Sequence, residues 1–324
     1  MAEVINELGY IVDVCDDKYP PLDYKKYHLI IGTGLNFDHY LSKGGLGATR
    51  IFYSPGMHEE FQNQQTLRQL QRFEDRRGAV LKESVRYVPE TRSPAFKSAD
   101  SLIVMGNKKC KQSFARSFSE TIYTVPAPYL CSGEIASSFD QKNSQTKNSF
   151  LWIGGAGKIH KGLDLCIEVI GDIPHAELHI CGSFKGEERF VEHYKKELSL
   201  PNIYLYGSLD YNSDDFISVL KKTSAVLSPT ASEGGAPAVV SAIGNGALFP
   251  IISSNTCLDI PERVYIQELT IEGVKKAIEA YQNMEWSEIV RLRAKNLEYI
   301  RSSNSPEAYK QKIKSALIEN LKRR

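Results

Sequence analysis

The stretch Phe150-Leu151-Trp152-Ile153-Gly154-Gly155-Ala156-Gly157-Lys158-Ile159-His160-Lys161-Gly162-Leu163-Asp164 decides the fold class. Four apolar residues typical of a buried strand lead into a glycine-rich turn, and a helix-like segment follows the turn. At such a junction the backbone N–H groups and the helix dipole favour an anion, and Lys158 and Lys161 add positive charge. The turn has neither the Walker ending nor a strict GxGxxG spacing. A phosphate-binding loop and an ordinary tight turn therefore both stay open at this point.

The same alternation of strand-like and helix-like segments extends over the whole chain. Apolar runs of four to seven residues are separated by amphipathic stretches, which is typical of parallel sheets with crossover helices. The predicted strands are 10–14, 28–31, 50–53, 102–105 and 121–125 in the first half, and 150–153, 177–180, 203–206, 225–228 and 249–252 in the second. We therefore predict an α/β protein with two doubly wound, Rossmann-like domains.

Domain boundaries follow from local composition. The stretch 131–148 is rich in Ser, Asn, Gln, Lys and Thr and has no core periodicity, so it is the predicted linker. This predicts an N-terminal domain over 1–140, a C-terminal domain over 148–304, and a basic helix over 305–324 that crosses back to the N-terminal domain. Because the chain opens on a helix-like segment, the first domain is expected to lack its first strand.

Length and composition exclude several classes of protein. Of 324 residues, 42 % are hydrophobic and 24 % are charged, so wholesale disorder is excluded. Lys and Arg number 40 against 39 Asp and Glu, and the aromatic residues form no stacking stripe, which argues against nucleic-acid binding. The chain has no run of 18 apolar residues and no signal-peptide pattern, which predicts a cytoplasmic protein. Six scattered cysteines without a CxxC pair favour reduced core thiols over a structural zinc site.

Two basic stretches allow peripheral contact with an anionic membrane. One contains Lys108, Lys109, Lys111 and Arg116, and the other is the tail over 305–324. For the tail, a solvated helix face that crosses back onto the first domain is the favoured alternative. A polar helical segment from residue 59 to about 98 is interpreted as a solvated helix with one buried face. Its apolar stripe consists of Phe61, Leu67, Leu70 and Phe73.

A second strand–helix junction has the sequence Ser228-Pro229-Thr230-Ala231-Ser232-Glu233-Gly234-Gly235-Ala236-Pro237. A carboxylate at Glu233 could accept hydrogen bonds from sugar hydroxyls, and the amides of residues 234–236 could bind an anion. The alternative is that Glu233 is a helix-start carboxylate stabilised by the dipole. In a parallel sheet both junctions face the same edge, so Lys161 and Glu233 are expected to belong to one site.

Together these segments resemble the nucleotide-sugar domain of glycosyltransferase family 4, the retaining group with the GT-B fold. The matching segments are the glycine-rich junction with Lys161-Gly162-Leu163-Asp164, the strand ends Ile180-Cys181-Gly182 and Tyr206-Gly207-Ser208-Leu209, the segment 229–234, and the closing segment 246–253. The resemblance covers residues 148–300 well. It covers the first half more weakly, through 32–34 and 54–58.

The resemblance implies roles for individual residues. His58, Lys161 and Glu233 are the expected catalytic residues: Lys161 would contact the donor diphosphate, and Glu233 would hold the transferred sugar. His58 would face that sugar across the cleft, and its alternative is a turn histidine without a role. Gly182 and Leu209 would line the nucleobase pocket. The other expected donor-binding residues are Gly154, Gly155, Lys158, Gly234, Gly235, Ala236, Pro237 and Ser241.

Two positions depart from the family pattern. The family places a second glutamate eight positions after the first, usually on the nucleotide ribose, and Ser241 stands there. Serine can still hydrogen-bond a hydroxyl, but it is shorter and neutral. Gly155 stands where an arginine often follows the first glycine of the phosphate loop, and Lys158 is the expected source of that charge.

These expectations describe a glycosyltransferase that moves a sugar from a nucleotide-diphosphate donor to a carbohydrate or lipid-linked acceptor in surface polysaccharide or glycan biosynthesis, with retention of configuration. Lys161, Lys158 and backbone amides would stabilise charge on the leaving diphosphate. No metal or cofactor is expected, because these cations would replace a metal. Asp16-Asp17 and Asp214-Asp215 are interpreted as loop or helix-start pairs. Two alternatives stay open: a non-catalytic GT-B-fold protein that binds a nucleotide or a partner, and a sugar-nucleotide epimerase of the same fold.

Overall fold

The computed structural model describes residues 1–15, 23, 26–34, 37, 38, 40, 47–88, 94–130 and 142–322. The first half contains α1 (Ala2–Glu7), β1 (Leu29–Gly32), β2 (Thr49–Ser54), α2 (Glu59–Arg77), β3 (Ser101–Met105), α3 (Lys108–Phe114) and β4 (Thr121–Val125). The second half contains β5 (Ser149–Ile153), α4 (Leu163–Gly171), β6 (Glu177–Cys181), α5 (Glu188–His193), β7 (Ile203–Gly207), α6 (Asp214–Lys222), β8 (Ala225–Ser228), α7 (Pro237–Gly246), β9 (Phe249–Ser253), β10 (Val264–Ile266), α8 (Ile271–Gln282), α9 (Trp286–Ser303) and α10 (Pro306–Lys322).

The described strands form two parallel sheets. The first has the order β1-β2-β3-β4, and the second has the order β10-β9-β8-β5-β6-β7. In the second sheet the chain proceeds from β5 to β7 on one side and resumes at β8 on the other, so the topological switch point lies between β5 and β8. The prediction of two Rossmann-like sheets is therefore confirmed.

The strand predicted over 10–14 is wrong. Residues 10–15 form no strand, and Ile11 and Val14 are 99 % and 79 % exposed. An alternating apolar pattern stabilises a strand only where a neighbour pairs with its backbone and covers one face. In this segment Asp13 instead accepts a hydrogen bond from the Tyr27 hydroxyl at 2.6 Å. In the described part of the chain, β1 is therefore the edge of the first sheet.

The helix α2 connects the two halves. Phe61 packs on the core of the first half, whereas Phe73 is fully buried in the core around β5 and β6. The Arg76 guanidinium pairs with the Asp164 carboxylate of α4 at 2.7 Å. Leu67, which belongs to the predicted apolar stripe, is 52 % exposed. The helix is therefore shared between two cores and is not a solvated helix with one buried face.

The last helix, α10, lies on the first sheet. Leu317 is fully buried there, and Lys310 and Lys314 form ion pairs with Glu3 and Glu7 of α1 at 2.5 and 2.9 Å. Part of the positive charge of the tail is therefore neutralised within the protein. None of the described helices is long and apolar enough to cross a membrane.

Four cysteines are buried free thiols, as predicted for a reduced core, and Cys15 is exposed; the buried ones are Cys110, Cys166, Cys181 and Cys257. Asp214 and Asp215 open α6 behind the N-cap Ser213, which confirms their interpretation as helix-start residues. Cys131, the pair Asp16-Asp17 and most of the predicted linker, residues 131–141, lie outside the described residues.

Candidate active site

The switch point of the second sheet carries an ion pair. Lys161 follows β5 and Glu233 follows β8, and the Lys161 ammonium donates a hydrogen bond to Glu233 Oε2. Each side chain is 16 % exposed, so the pair lies in the wall of the crevice above β5 and β8 and not on the open surface. A parallel α/β sheet binds its ligands at this place, beyond the carboxyl ends of the two strands.

Local packing determines the direction of the Lys161 side chain. Its stem crosses Gly154 so closely that a Cβ at position 154 would lie 2.9 Å from Lys161 Cδ. The indole N–H of Trp152 donates to the Lys161 carbonyl oxygen at 3.2 Å. The glycine of the β5 turn therefore provides the space through which the lysine reaches Glu233.

The Glu233 carboxylate is ionised because of its neighbours. Burial alone raises the pKa of this carboxyl, but the positive charges of Lys161 and Arg86 more than offset burial, so the pKa lies below its ordinary value. Arg86 Nη1 lies 3.9 Å from Glu233 Oε1. The Glu233 amide donates to the Asn255 carbonyl oxygen at 2.9 Å, which anchors the loop. The site therefore presents a charged acceptor suited to hydroxyl groups.

His160, whose role the sequence did not indicate, supports this loop from below. Its Nε2 lies 2.8 Å from the Ser232 carbonyl oxygen, and its Nδ1 lies 2.7 Å from the Thr66 hydroxyl of α2. A carbonyl only accepts, so Nε2 carries the proton and Nδ1 accepts from Thr66. Burial lowers the pKa of His160 to about 4, which keeps the ring neutral. Nothing local in the sequence indicates this role, because Thr66 is 94 positions away.

His58 caps α2 at the boundary between the halves. Its Nδ1 accepts a hydrogen bond from the Glu60 amide at 3.1 Å, so Nε2 carries the ring proton. Nε2 is buried and has no hydrogen-bond partner among the described residues. The ring lies edge-on to Phe96 and Phe114, with centroids 5.4 and 5.2 Å apart, and burial lowers its pKa. His58 is therefore a neutral N–H donor.

A cavity of about 400 Å³, hereafter the interdomain cavity, separates the loops of the two halves. The side contributed by the first half includes His58, Gln62 and Arg86, and the opposite side includes Glu233. The structure therefore brings two of the three expected catalytic residues, His58 and Glu233, to one cavity. The third, Lys161, does not line the cavity but is bonded to Glu233. Of the other residues expected to bind the donor, Gly234 and Pro237 also line this cavity.

The loop after β8 approaches the first half very closely. A Cβ at Gly234 would lie 2.1 Å from the Pro55 carbonyl oxygen, so only glycine fits there. Gly235 and Ala236 have φ values of +66° and +48°. Within the described part of the chain, the amide groups of residues 234–236 donate no hydrogen bond. These amides can therefore serve an anion at the start of α7.

Lys158 does not supply the charge that the sequence led us to expect. The residue is fully buried, and its ammonium donates to the carbonyl oxygens of Gly155 and Ser183 at 2.9 and 2.7 Å and to Glu187 Oε1 at 3.2 Å. An ammonium has three N–H donors, and all three are used here. Lys158 therefore holds the β5 loop in shape, whereas Gly155 is exposed at its tip.

Ser241 is likewise engaged within the protein. Its hydroxyl donates to the Pro237 carbonyl oxygen at 2.8 Å and accepts from the Leu130 amide at 3.0 Å, so it ties α7 to the segment after β4. Gly182 and Leu209 lie at the ends of β6 and β7, one and two strands beyond β5. The Gly182 amide donates to the Gly207 carbonyl oxygen at 2.7 Å, and Leu209 packs on a core cluster.

Among the residues that the structure describes, no three or more His, Cys, Asp or Glu side chains are grouped so that they could hold a metal ion.

Comparison with known proteins identifies the fold. The chain matches no protein-family model and no curated protein by sequence. It is similar to sucrose-phosphate synthase from Thermosynechococcus elongatus, with a TM-score of 0.66 and 16 % identity over 92 % of this chain and 75 % of that one. It is also similar to the pneumococcal O-GlcNAc transferase GtfA in complex with UDP and GlcNAc, with a TM-score of 0.57 and 16 % identity over 90 % of this chain and 57 % of that one.

A third similar structure is Anabaena HepE in complex with UDP and glucose, with a TM-score of 0.58 and 12 % identity over 90 % of this chain and 78 % of that one. At these identities the likeness establishes the fold. The two parallel α/β sheets and the loops that face each other between them are the GT-B arrangement of these proteins.

Proposed function

We propose that this protein is a glycosyltransferase that moves a sugar from a nucleotide-diphosphate donor to a carbohydrate or lipid-linked acceptor. The observation that carries the proposal is the Lys161–Glu233 ion pair at the switch point, beside the interdomain cavity. A cation suits the diphosphate of such a donor, and a carboxylate suits its sugar hydroxyls. The fold supports the proposal, because similar structures were solved with UDP and GlcNAc and with UDP and glucose.

The proposed chemistry is electrostatic activation of the donor. As the glycosidic bond breaks, the leaving diphosphate gains negative charge, and Lys161 with the amides of residues 234–236 would stabilise that charge where it develops. Glu233 would orient the sugar by accepting hydrogen bonds from its hydroxyls. The neutral ring of His58 would face the sugar from the opposite side of the cavity, with Nε2–H as its hydrogen-bond donor. Retention of configuration follows the family resemblance and would be read from the anomeric proton of the product by NMR.

A thermal-shift screen tests donor binding. UDP, GDP, ADP, CMP and their common sugar conjugates are added to the native protein and to Lys161→Ala. One nucleotide should stabilise the native protein, by about 2.7 kcal/mol at a hundredfold excess over the dissociation constant. Lys161→Ala should lose this shift. Lys195→Ala, which removes a lysine whose side chain is 72 % exposed, should keep it. The absence of a shift with every compound would contradict the proposal.

Glu233→Gln separates binding of the sugar from binding of the nucleotide. The variant keeps the size of the side chain and removes its charge, so it should still bind the free nucleotide diphosphate. It should lose the additional stabilisation that the sugar conjugate gives the native protein, and it should lose transfer. A native protein that binds a nucleotide but neither transfers nor hydrolyses any donor would instead favour the non-catalytic alternative.

A further inference from the structure

Arg86 belongs to the first half of the chain, yet its side chain lies on the glycine-rich loop of the second half. A Cβ at Gly157 would lie 2.6 Å from Arg86 Cγ and 3.1 Å from its Cδ, so the arginine stem rests on the bare Cα of this glycine. The side chain is 44 % exposed and lines the interdomain cavity together with His58. Its Nη1 lies 3.9 Å from Glu233 Oε1. The guanidinium is therefore at the junction of the β5 loop, the β8 loop and the cavity.

Hydrogen bonds to both halves of the molecule fix the backbone of residues 84–86. The Ser84 carbonyl oxygen accepts from the amides of Ile159 and His160 at 3.0 and 3.2 Å, which ties the segment to the β5 loop. On the other side, Gln62 of α2 donates to the Arg86 carbonyl oxygen at 2.7 Å. The direction of the Arg86 side chain is thus set by contacts with both halves of the molecule.

Neither lysine of the β5 loop presents a free ammonium to the crevice. The Lys158 ammonium is consumed inside the loop, and Lys161 is bonded to Glu233. By contrast, the Arg86 guanidinium makes no hydrogen bond within the described part of the chain, because 3.9 Å to Glu233 exceeds hydrogen-bond distance. A guanidinium with free N–H groups presents a planar fork that matches two phosphate oxygens.

We infer that Arg86 binds the diphosphate of the donor, as a second cation supplied to the site by the opposite half of the chain; this inference rests on the proposed function. Arg86 takes the place that the sequence had led us to assign to Lys158. Its stem lies on Gly157, two residues from the exposed Gly155 at the loop tip. The diphosphate is then held by two cations that meet at Glu233, Lys161 from the second half of the chain and Arg86 from the first.

The test compares nucleoside diphosphates with nucleosides. UDP, GDP, ADP, uridine, guanosine and adenosine are titrated calorimetrically into the native protein, Arg86→Ala and Arg86→Lys. For the diphosphate that the native protein binds, Arg86→Ala should weaken affinity about 10- to 100-fold, the range for loss of hydrogen bonds to a charged group. Affinity for the matching nucleoside should not change. The diphosphate affinity of Arg86→Lys should lie between those of the native protein and Arg86→Ala, because lysine keeps the charge without the planar fork.

The matched control is Arg189→Ala. Arg189 is 67 % exposed and also contacts the first half, at Glu83, but it does not line the interdomain cavity. Arg189→Ala should leave the affinities for the diphosphate and for the nucleoside unchanged. Salt gives a further readout, since diphosphate affinity should fall less steeply with ionic strength in Arg86→Ala than in the native protein.

Three results would overturn the inference. Equal diphosphate affinity in the native protein and Arg86→Ala would remove Arg86 from the site. An equal loss of nucleoside and diphosphate affinity would show that Arg86 only supports the loops. A native protein that binds none of the diphosphates would overturn the proposed function and the inference together, whereas the first two results leave the proposed function intact.

Discussion

At the scale of single residues, burial and neighbouring charge set the protonation of the site. Glu233 is kept ionised by Lys161 although burial opposes it. His58 and His160 are kept neutral, because burial penalises the charged ring. The protonation state of each group therefore suits a single role, with Glu233 as an acceptor, His58 as a donor and His160 as the support of the loop.

His160 should make stability depend on pH. Its pKa is about 4 in the folded protein and about 6.5 in an unfolded chain. The unfolded chain therefore takes up the proton first, and stability that is present above pH 6.5 is lost as the pH falls through 4. From pH 7 to 4.5 the native protein should lose about 2 kcal/mol of unfolding free energy through this residue.

His160→Gln tests this dependence, because glutamine keeps a donor and an acceptor but does not titrate. Urea unfolding at pH 7 and pH 4.5 should show a smaller acid loss in the variant than in the native protein. Equal losses in both proteins would contradict the role assigned to His160.

Lys158 should matter for stability more than for ligand binding. Lys158→Met leaves the Glu187 carboxylate buried without its cation, which should lower the unfolding free energy by about 3 kcal/mol. The nucleotide affinity of the folded variant should fall less than that of Lys161→Ala. Chemical unfolding and calorimetric titration measure the two quantities. The opposite ranking of affinities would assign the Lys158 ammonium to the ligand.

At the scale of elements, the connection between β8 and α7 determines the shape of the site. The strand ends at Ser228 and the helix begins at Pro237, so the loop between them is short. Within it, Ala236 is held at φ +48°, a conformation that costs an alanine about 1–2 kcal/mol. Strain of this kind persists only where the surroundings determine the conformation, and here the loop is enclosed by the first half.

Gly234→Ala should disturb both stability and binding. The new Cβ would meet the Pro55 carbonyl oxygen at 2.1 Å, and backbone atoms cannot move aside as a flexible side chain can. We expect a loss of about 1–3 kcal/mol in unfolding free energy and a weaker thermal shift with the nucleotide sugar. Gly171→Ala is the control, since its Cβ would meet only the end of the Leu200 side chain, at 3.1 Å. Equal effects of Gly234→Ala and Gly171→Ala on unfolding free energy and on the thermal shift would contradict the close approach of Gly234 to Pro55.

At the scale of the whole molecule, contacts on two sides hold the walls of the interdomain cavity. On one side, α2 inserts Phe73 into the core of the second half. On the other side, the Asn304 side chain donates to the Ala127 carbonyl oxygen at 2.8 Å, and the Tyr129 amide donates to the Asn304 carbonyl oxygen at 3.0 Å. The two halves should therefore respond together to a change in either contact region.

Phe73→Ala tests this coupling. Removal of a fully buried phenylalanine should cost about 3–5 kcal/mol, although the residue belongs to a helix of the first half. Leu67→Ala in the same helix removes a side chain that is 52 % exposed and should change stability by no more than about 0.5 kcal/mol. Urea unfolding measures both. Equal stabilities of the two variants would contradict the bridging role of α2.

The sequence by itself determined the two parallel sheets and the position of the central pair. Strand and helix periodicity depends on neighbours within one element, and glycine turns mark where a strand ends. Lys161 and Glu233 were assigned to one edge because the carboxyl ends of parallel strands meet there. The strand predicted over 10–14 failed for the complementary reason: alternation describes a face and does not specify a partner strand.

Only the tertiary structure decided which cations face the crevice. Burial and ion pairing depend on groups that are distant in sequence: Lys158 pairs with Glu187, 29 positions away, and loses its contact with solvent. Arg86 lies 71 positions before Gly157, and no local sequence pattern connects residues that far apart. The packing of α2 places Arg86 on the β5 loop. The electrostatics of the site are therefore a property of how the two halves pack, because the energy of a charge depends on what surrounds it in space.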